Sequence, residues 1–278
     1  MTPIALLSSQ LVVVIAGVLI CWIVAVRVLP TRWAHIGWGA LAFPLSQVLR
    51  FALIIPLTLA LTPLVGEQIA LVSTIILVIT SGVFEESTRW LVLRWWARDT
   101  RSWRDGIGFG LGHGGIEAIL VIGGGVLTAV SLMLAVDVAR AAAREQGADA
   151  LAQVDAQLAA IENLSGLMVG MGLYERVLAI VFHVAMTLFV LRTVRSGRRR
   201  YWAIAVVAHI AFNAIAVGYL AALGPEASAD PTLIAGLYAI LTAIVAVLVW
   251  MMWRGPVSQL VVETTHPDPR RRGDTEDA

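Results

Sequence analysis

Seven ionisable side chains lie inside stretches of this chain that are otherwise apolar. They are four glutamates and three histidines: Glu85, Glu86, His113, Glu117, Glu175, His183 and His209. The chain has only five histidines, so most of its imidazoles are placed in this way. An ionisable side chain among apolar residues in a membrane is costly, and its position is by default functional. We therefore predict that these residues form a chemical site.

Two pairs of polar residues in these stretches have helical spacing. His113 precedes Glu117 by four residues, and His209 precedes Asn213 by the same interval. Residues four apart share one face of a helix. Each pair is therefore predicted to point to one side of its helix, toward the interior of a bundle.

The glutamate pair and the histidines suit hydrolysis. A glutamate such as Glu85 or Glu86, held near histidines, can act as a general base on a water molecule. Asn213 and a histidine can donate hydrogen bonds to a developing oxyanion. Arg89 lies about one turn from both glutamates, where it can keep one of them ionised. The Gly-x-Ser-x-Gly and His-Glu-x-x-His sequences are absent, which disfavours a serine nucleophile and an ordinary zincin.

The same side chains could hold a metal ion such as zinc. A catalytic zinc needs only three protein ligands and one open position for water. His113, His183 and His209 fall in three different segments and could converge on one ion. No pair of them has a spacing that is diagnostic of zinc. A metal site, and a site in which a glutamate activates water unaided, therefore both remain open.

Two arginines also lie within apolar stretches. Arg50 could bind a carboxylate of a substrate, or it could pair with Glu85 or Glu86, and pairing is the favoured interpretation. Arg176 and His183 are seven residues apart and share a helix face, so Arg176 could neutralise a catalytic glutamate.

The composition indicates that a membrane bundle positions these side chains. The chain has 278 residues, of which 59% are hydrophobic and 14% charged, whereas a soluble domain is about 25% charged. A spanning helix needs about 20 predominantly apolar residues. Seven spans are predicted, at Ile4–Leu29, Ile36–Leu64, Ile69–Leu93, Gly106–Val136, Leu164–Val194, Trp202–Leu223 and Thr232–Trp253. The predicted fold class is all-α, a polytopic membrane bundle of about seven transmembrane helices within residues 1–263.

The arginines predict the orientation of this bundle. The loops after the first, third, fifth and seventh spans are rich in arginine, and the other connections are acidic or neutral overall. Basic loops stay in the cytoplasm. The N-terminus is therefore expected outside and the C-terminus inside. Lysine is absent and alanine is abundant, which is typical of a GC-rich genome and favours the plasma membrane of a bacterium.

Two segments are expected to lie outside the spans. Residues 137–163 are predicted to form an extracytoplasmic amphipathic loop or helix, which caps the bundle, lies on the bilayer or is a solvated linker. Residues 264–278 are predicted to be a disordered cytoplasmic tail. The single cysteine, Cys21, excludes a disulfide within the chain.

The predicted topology places the polar residues at one depth. With a rise of about 1.5 Å per residue, Glu85, His113, His183 and His209 all lie roughly 10–15 Å from the cytoplasmic ends of their spans. One shared layer is what a single site that opens to the cytoplasm requires. Six glycines between Gly106 and Gly115 allow close helix approach or a locally broken helix.

The order of these motifs resembles that of a known superfamily. Three motifs resemble those of the CAAX-protease and bacteriocin-processing (Abi) intramembrane endopeptidases: Glu85-Glu86 with Arg89, Phe109-x-x-x-His113 and His209-x-x-x-Asn213. Two further sequences resemble more closely those of the YhfC-type membrane peptidases of that superfamily. They are Gly-His-Gly-Gly-Ile-Glu at Gly112–Glu117 and Glu-Arg…Phe-His at Glu175–His183.

The resemblance implies roles for these residues. Glu85 or Glu86 would be the general base together with His113, and His209 with Asn213 would form the oxyanion site. The predicted catalytic set is Glu85, Glu86, Arg89, His113, Glu117, His209 and Asn213, and the predicted metal ligands are His113, His183 and His209.

The expected function is an intramembrane endopeptidase, glutamate-type or metal-dependent, that cleaves a peptide or membrane-protein substrate near the cytoplasmic leaflet. Its expected environment is the lipid bilayer, and no nucleic-acid partner is expected. A proton- or metal-coupled transporter that uses the same polar layer is the alternative. It is disfavoured because no internal repeat is visible. A scaffold whose polar layer only holds helices together is a third possibility.

Overall fold

The structure, a computed structural model, describes residues 2–223 and 230–254. This part of the chain is built of helices and contains no β-strand. The helices are α1 (Pro3–Val28), α2 (Trp33–Val65), α3 (Ile69–Leu91), α4 (Trp103–Leu134), α5 (Val136–Gln146), α6 (Ala148–Glu162), α7 (Gly166–Ser196), α8 (Arg200–Leu223) and α9 (Pro231–Arg254). The predicted tail, residues 264–278, lies outside the described residues.

Seven of these helices are long and apolar enough to cross a membrane. They are α1, α2, α3, α4, α7, α8 and α9, and each begins and ends within three residues of a predicted span once the π-helical turn at Val92–Trp96 is counted with α3. The predicted fold class is confirmed: the protein is an all-α, multi-pass membrane bundle.

The start of α4 is fixed by its own sequence. Ser102 Oγ accepts a hydrogen bond from the backbone N–H of Asp105 (3.2 Å), and the Asp105 carboxylate accepts one from the backbone N–H of Ser102 (3.1 Å). Such a capping box satisfies two donors that would otherwise lack partners at a helix N-terminus. Because this cap precedes His113 by eleven residues, it sets the position of that histidine along α4.

The glycines of α4 permit backbone contact rather than a break. The helix is continuous through them, so the idea of a locally broken helix is wrong. A Cβ on Gly112 would lie 2.0 Å from the carbonyl oxygen of Ile36 in α2, and one on Gly110 would lie 2.6 Å from Cα of Val184 in α7. Small residues at such contacts let membrane helices approach closely. This approach brings His113, which directly follows Gly112, close to the neighbouring helices.

α7 is the most buried of the spanning helices. Its inner half contributes Phe182, Met186, Phe189 and Leu191 to the main hydrophobic cluster, and all four are nearly inaccessible. A helix that is apolar on all sides is expected in the interior of a membrane protein. His183 lies within this stretch and is therefore held by packing from several neighbours.

The connection between α4 and α7 consists of two helices rather than one. α5 and α6 meet at Gly147, whose φ of 121° is a conformation that favours glycine. Arg140 in α5 and Asp155 in α6 form an ion pair at 2.8 Å. Leu158 packs inward, so α6 presents an apolar side to the rest of the structure.

A buried polar cluster lies where α2 and α4 begin, and we call it the His35 cluster. His35 is buried, with Nδ1 2.8 Å from Thr100 Oγ1. Its Nε2 lies 3.2 Å from Asp105 Oδ1 and 3.3 Å from Nε of Arg32. Both ring nitrogens therefore have partners, and the cluster joins the start of α2 to the start of α4.

Candidate active site and metal centre

Polar side chains from α3, α4 and α7 meet at one place inside the bundle. Glu85, His113, Glu117 and His183 each offer one ligand atom, and these four atoms all lie within 4.8 Å of one another. Three of the residues are buried and Glu117 is half-buried. We call these four residues the ligand group.

The contacts within the ligand group leave donor atoms available. Glu85 Oε2 lies 3.3 Å from His113 Nε2, and Glu117 Oε2 lies 2.5 Å from His183 Nε2. Nδ1 of His113 is nevertheless buried without a hydrogen-bond partner, although buried polar atoms nearly always have one. The carboxylate of Glu117 contacts only His183 and the more distant Arg176, so its oxygens keep lone pairs for a further ligand.

The donor set fits a divalent metal ion. Two carboxylates and two imidazoles are the ligand types that catalytic zinc sites use, and three of them suffice. The four ligand atoms come from three helices, so they can surround an ion rather than approach it from one side.

His183 has the weaker claim to be a ligand within this group. Arg89 Nη2 lies 3.0 Å from His183 Nδ1. A guanidinium can only donate, so Nδ1 accepts and the proton of the neutral ring is on Nε2. Nε2 of this tautomer therefore donates its proton toward Glu117 and has no lone pair for a metal. His183 could bind a metal through Nε2 only after Arg89 has moved away.

His209 lies beside the ligand group and has the opposite tautomer. Its Nδ1 lies 2.8 Å from Glu86 Oε1. A carboxylate accepts, so Nδ1 carries the proton and Nε2 keeps its lone pair in the neutral ring. That Nε2 lies 3.8 Å from Glu85 Oε2. A carboxylate that orients a histidine in this way is typical of the surroundings of a metal or catalytic site.

The adjacent glutamates therefore have different surroundings. Arg89 Nη1 lies 2.6 Å from Oε1 and 2.5 Å from Oε2 of Glu86, and both residues are inaccessible to solvent. Glu85 instead belongs to the ligand group and borders a cavity. Glu86 orients His209 and neutralises Arg89, whereas Glu85 lines the cavity.

Arg176 supplies positive charge on the other side of the ligand group. It forms an ion pair with Glu175 and lies 3.8 Å from Glu117 Oε1. Arg176 thus pairs with its neighbour Glu175 and also approaches Glu117 of the ligand group. A nearby positive charge favours the ionised form of a carboxylate such as Glu117.

A family model described as YhfC intramembrane metalloprotease matches residues 11–250 of the chain. The chain belongs to the YhfC intramembrane metalloprotease family. A relative from Bacillus subtilis (strain 168), called "Uncharacterized membrane protein YhfC", is 30% identical over 161 residues, which are 56% of this chain and 60% of that relative. The chain thus matches less than two thirds of the relative's length. No solved structure matches the chain significantly.

Asn213 was predicted to form an oxyanion site together with His209. In the structure, its amide nitrogen donates to Ser81 Oγ (2.7 Å). Asn213 is half-buried and lines the same cavity as Glu85. Sequence reasoning missed Ser81, although its position four residues before Glu85 in α3 is a usable signal.

The predicted pairing of Arg50 with Glu85 or Glu86 is wrong. Gln47 lies between the two sides: its Nε2 donates to Glu85 Oε1 (3.1 Å), and its Oε1 accepts from Arg50 Nη1 (3.0 Å). Gln47 was also missed, although it is a polar residue within a predicted span, one turn from Arg50. The amide separates the two charges because it can accept from one and donate to the other.

A cavity of about 500 Å³ connects Arg50 to the ligand group. It lies between α2, α3, α4 and α8. Its polar lining consists of Gln47, Arg50, Thr74, Ser81, Glu85, Glu117 and Asn213. A cavity of this size with a few convergent polar groups is typical of a ligand site.

Proposed function

We propose that this protein is an intramembrane metallopeptidase that hydrolyses peptide bonds in the cavity beside the ligand group. The observation that carries the proposal is the convergence of four ligand atoms within 4.8 Å, inside a membrane bundle, in a chain of this family. The substrate would be a peptide or a membrane protein, and zinc is the metal that the donor set suits best.

Glu85, His113 and Glu117 would hold the metal. Two carboxylates and one imidazole from this set are enough for a metal ion with an open position for water, and each offers a ligand atom within 4.8 Å of the others. A bound divalent metal would polarise the peptide carbonyl and lower the pKa of a water molecule. His183 would orient the carboxylate of Glu117 by donating from Nε2, and Arg89 would fix the tautomer of His183 by donating to Nδ1.

His209 would move the proton. Its Nε2 lone pair faces the ligand group, so neutral His209 can take a proton from the attacking water. Glu86, held by Arg89, would stabilise the resulting imidazolium. The protonated Nε2 could then donate to the oxyanion, together with the amide of Asn213, and later return its proton to the leaving amine.

Cleavage and metal content of the purified protein test this proposal together. A peptide library should be cleaved, metal analysis should find one equivalent of a divalent ion, and a chelator should abolish both. His113→Ala should lose metal and activity, whereas Asn213→Ala should keep the metal and lose about 10²–10³-fold in rate, as for one oxyanion donor. Active protein without metal would leave only the glutamate-type mechanism, and proteoliposomes with ion flux but no cleavage would favour the transporter.

We also propose that the protein lies in the plasma membrane of a bacterium with its N-terminus outside and its site nearer the cytoplasm. The alternation of arginine-rich loops supports this orientation. Reporter fusions at Thr100 and Asp149 should report opposite sides, the former in the cytoplasm. The order of the motifs further supports a distant relation to the CAAX-protease and bacteriocin-processing endopeptidases.

A further inference from the structure

Arg50 is a cation in the middle of a membrane helix, and no carboxylate within the described residues pairs with it. Its guanidinium donates to Thr80 Oγ1 (3.3 Å), Gln47 Oε1 (3.0 Å) and the carbonyl of Leu77 (2.6 Å). It lies more than about 20 Å from either end of the 33-residue α2. Both ends of the helix are too distant for the side chain to reach an interface, so its charge calls for a partner inside the membrane.

The cavity supplies the place for that partner. Arg50 is the one cation among the described residues that line it, and the carboxylates of Glu85 and Glu117 line it as well. A guanidinium has five N–H donors in a fork that matches a carboxylate. Three neutral acceptors engage Arg50, so donors remain for a ligand in the cavity.

The spacing relates Arg50 to the bond that would be cleaved. Arg50 contacts Thr80, which precedes Glu85 by five residues on α3, or about 7.5 Å along the helix. An extended peptide advances about 3.3 Å per residue. A group on Arg50 would therefore lie about two residues from a peptide bond beside Glu85.

We propose that Arg50 binds a carboxylate of the substrate, about two residues from the scissile bond. The substrate class is thus a peptide segment with an Asp or Glu side chain, or a free C-terminus, at that distance. The position of the bond rests on the proposed peptidase function, but the binding of the carboxylate does not.

A role of Arg50 as a support for Glu85 through Gln47 would need no ligand. The Gln47 amide already satisfies Glu85 Oε1 without the charge of Arg50. A support role would make binding insensitive to a carboxylate on the ligand. Ligand binding with matched peptides therefore separates the two roles.

The test measures binding of a fluorescent apolar peptide to the full-length protein in phosphatidylcholine nanodiscs by anisotropy. The peptide is used with a C-terminal carboxylate or amide, and as an amide with one internal Glu or the matched Gln. We expect one carboxylate form to bind about 10- to 100-fold more tightly than its neutral match. Arg50→Gln should remove this preference and Arg50→Lys should keep part of it. Arg27→Gln, which removes an exposed charge at the end of α1, should leave it unchanged.

Equal binding of both members of each pair, or a preference that survives Arg50→Gln, would overturn the proposal. So would equal binding of both members of each pair by a protein that co-purifies with phosphatidylglycerol and loses that lipid in Arg50→Gln, because the occupant would then be a lipid phosphate. Mass spectrometry of the same samples reports cleavage separately. Carboxylate preference without cleavage would sink only the peptidase function, and cleavage without preference would sink only the carboxylate site.

Discussion

The ligand group and the His35 cluster are two buried polar regions that differ in how fully the nitrogens of their histidines are hydrogen-bonded. Both place histidines against carboxylates: His113 lies 3.3 Å from Glu85, and His35 lies 3.2 Å from Asp105. Both ring nitrogens of His35 have protein partners, from Thr100 on one side and Asp105 on the other. His113 keeps Nδ1 without one.

The two regions also differ in their access to a ligand. Glu85 and Glu117 line a cavity of about 500 Å³, and none of the residues that line this cavity belongs to the His35 cluster. Burial of a histidine is therefore a weak sign of function. An unsatisfied ring nitrogen, in a histidine whose carboxylate neighbours line a cavity, is a stronger sign, because a structural histidine is saturated by its own protein.

The largest expected difference between the regions concerns activity. His113→Ala should lower peptide cleavage at least about 10³-fold, because groups that act as a unit fail together. His35→Gln should keep most of the activity. Initial rates and metal content of both purified variants check this. Equal loss in the two variants would remove the distinction drawn between the regions.

The next largest effect concerns the stability of the ligand group's supporting ion pair. Arg89→Met should destabilise the fold by about 3–5 kcal/mol, because it leaves Glu86 charged and buried. The control is Arg32→Gln beside the His35 cluster, whose partner Asp99 is exposed, so that about 0–1 kcal/mol is expected. Unfolding by detergent titration measures both, and Arg89→Met combined with Glu86→Gln should recover part of the loss.

A smaller effect is expected where one helix contact serves both regions. Gly112 is next to His113, and it touches the backbone of Ile36, which is next to His35. Gly112→Ala should therefore destabilise the fold by about 1–3 kcal/mol, by overpacking. Gly124→Ala in the same helix meets nothing within 4 Å and should be neutral or gain up to about 1 kcal/mol. Similar melting of the two variants would contradict the close α2–α4 contact.

The smallest effect is the stability change of His35→Gln. Glutamine can keep one of the two polar contacts of the ring, so a loss of about 1 kcal/mol is expected, as for one hydrogen bond. The cleavage rate measured on the same sample at a temperature well below unfolding should stay near that of the unsubstituted protein. A stability loss as large as that of Arg89→Met would contradict this ranking and show that the two regions support the bundle equally.

The spanning helices could be predicted because their signal is local. About 20 consecutive apolar residues form a helix in lipid whatever their neighbours are, since the backbone must satisfy its own hydrogen bonds. The polar residues of interest were visible for the same reason, as His113 and His183 interrupt such stretches. The break between α5 and α6 at Gly147 was missed, because glycine alone does not reveal a positive φ.

Only the tertiary structure separated the roles of Glu85 and Glu86. Adjacent residues of a helix differ by about 100° in direction, so the sequence places one glutamate on each side of a face without saying what lies there. Packing supplied the answer: α7 and α8 bring His183 and His209 to different atoms of Arg89 and Glu86. The rotation of each helix depends on contacts between distant residues.

The sequence by itself determined that this protein is a helical membrane bundle with ionisable side chains in its interior, because hydrophobic length and composition act locally. The tertiary structure decided which of those side chains share ligand positions, and that Arg50 faces Gln47 and a cavity rather than a glutamate. Distances between helices depend on close contacts such as that of Gly112 with Ile36, and no spacing along the chain encodes them.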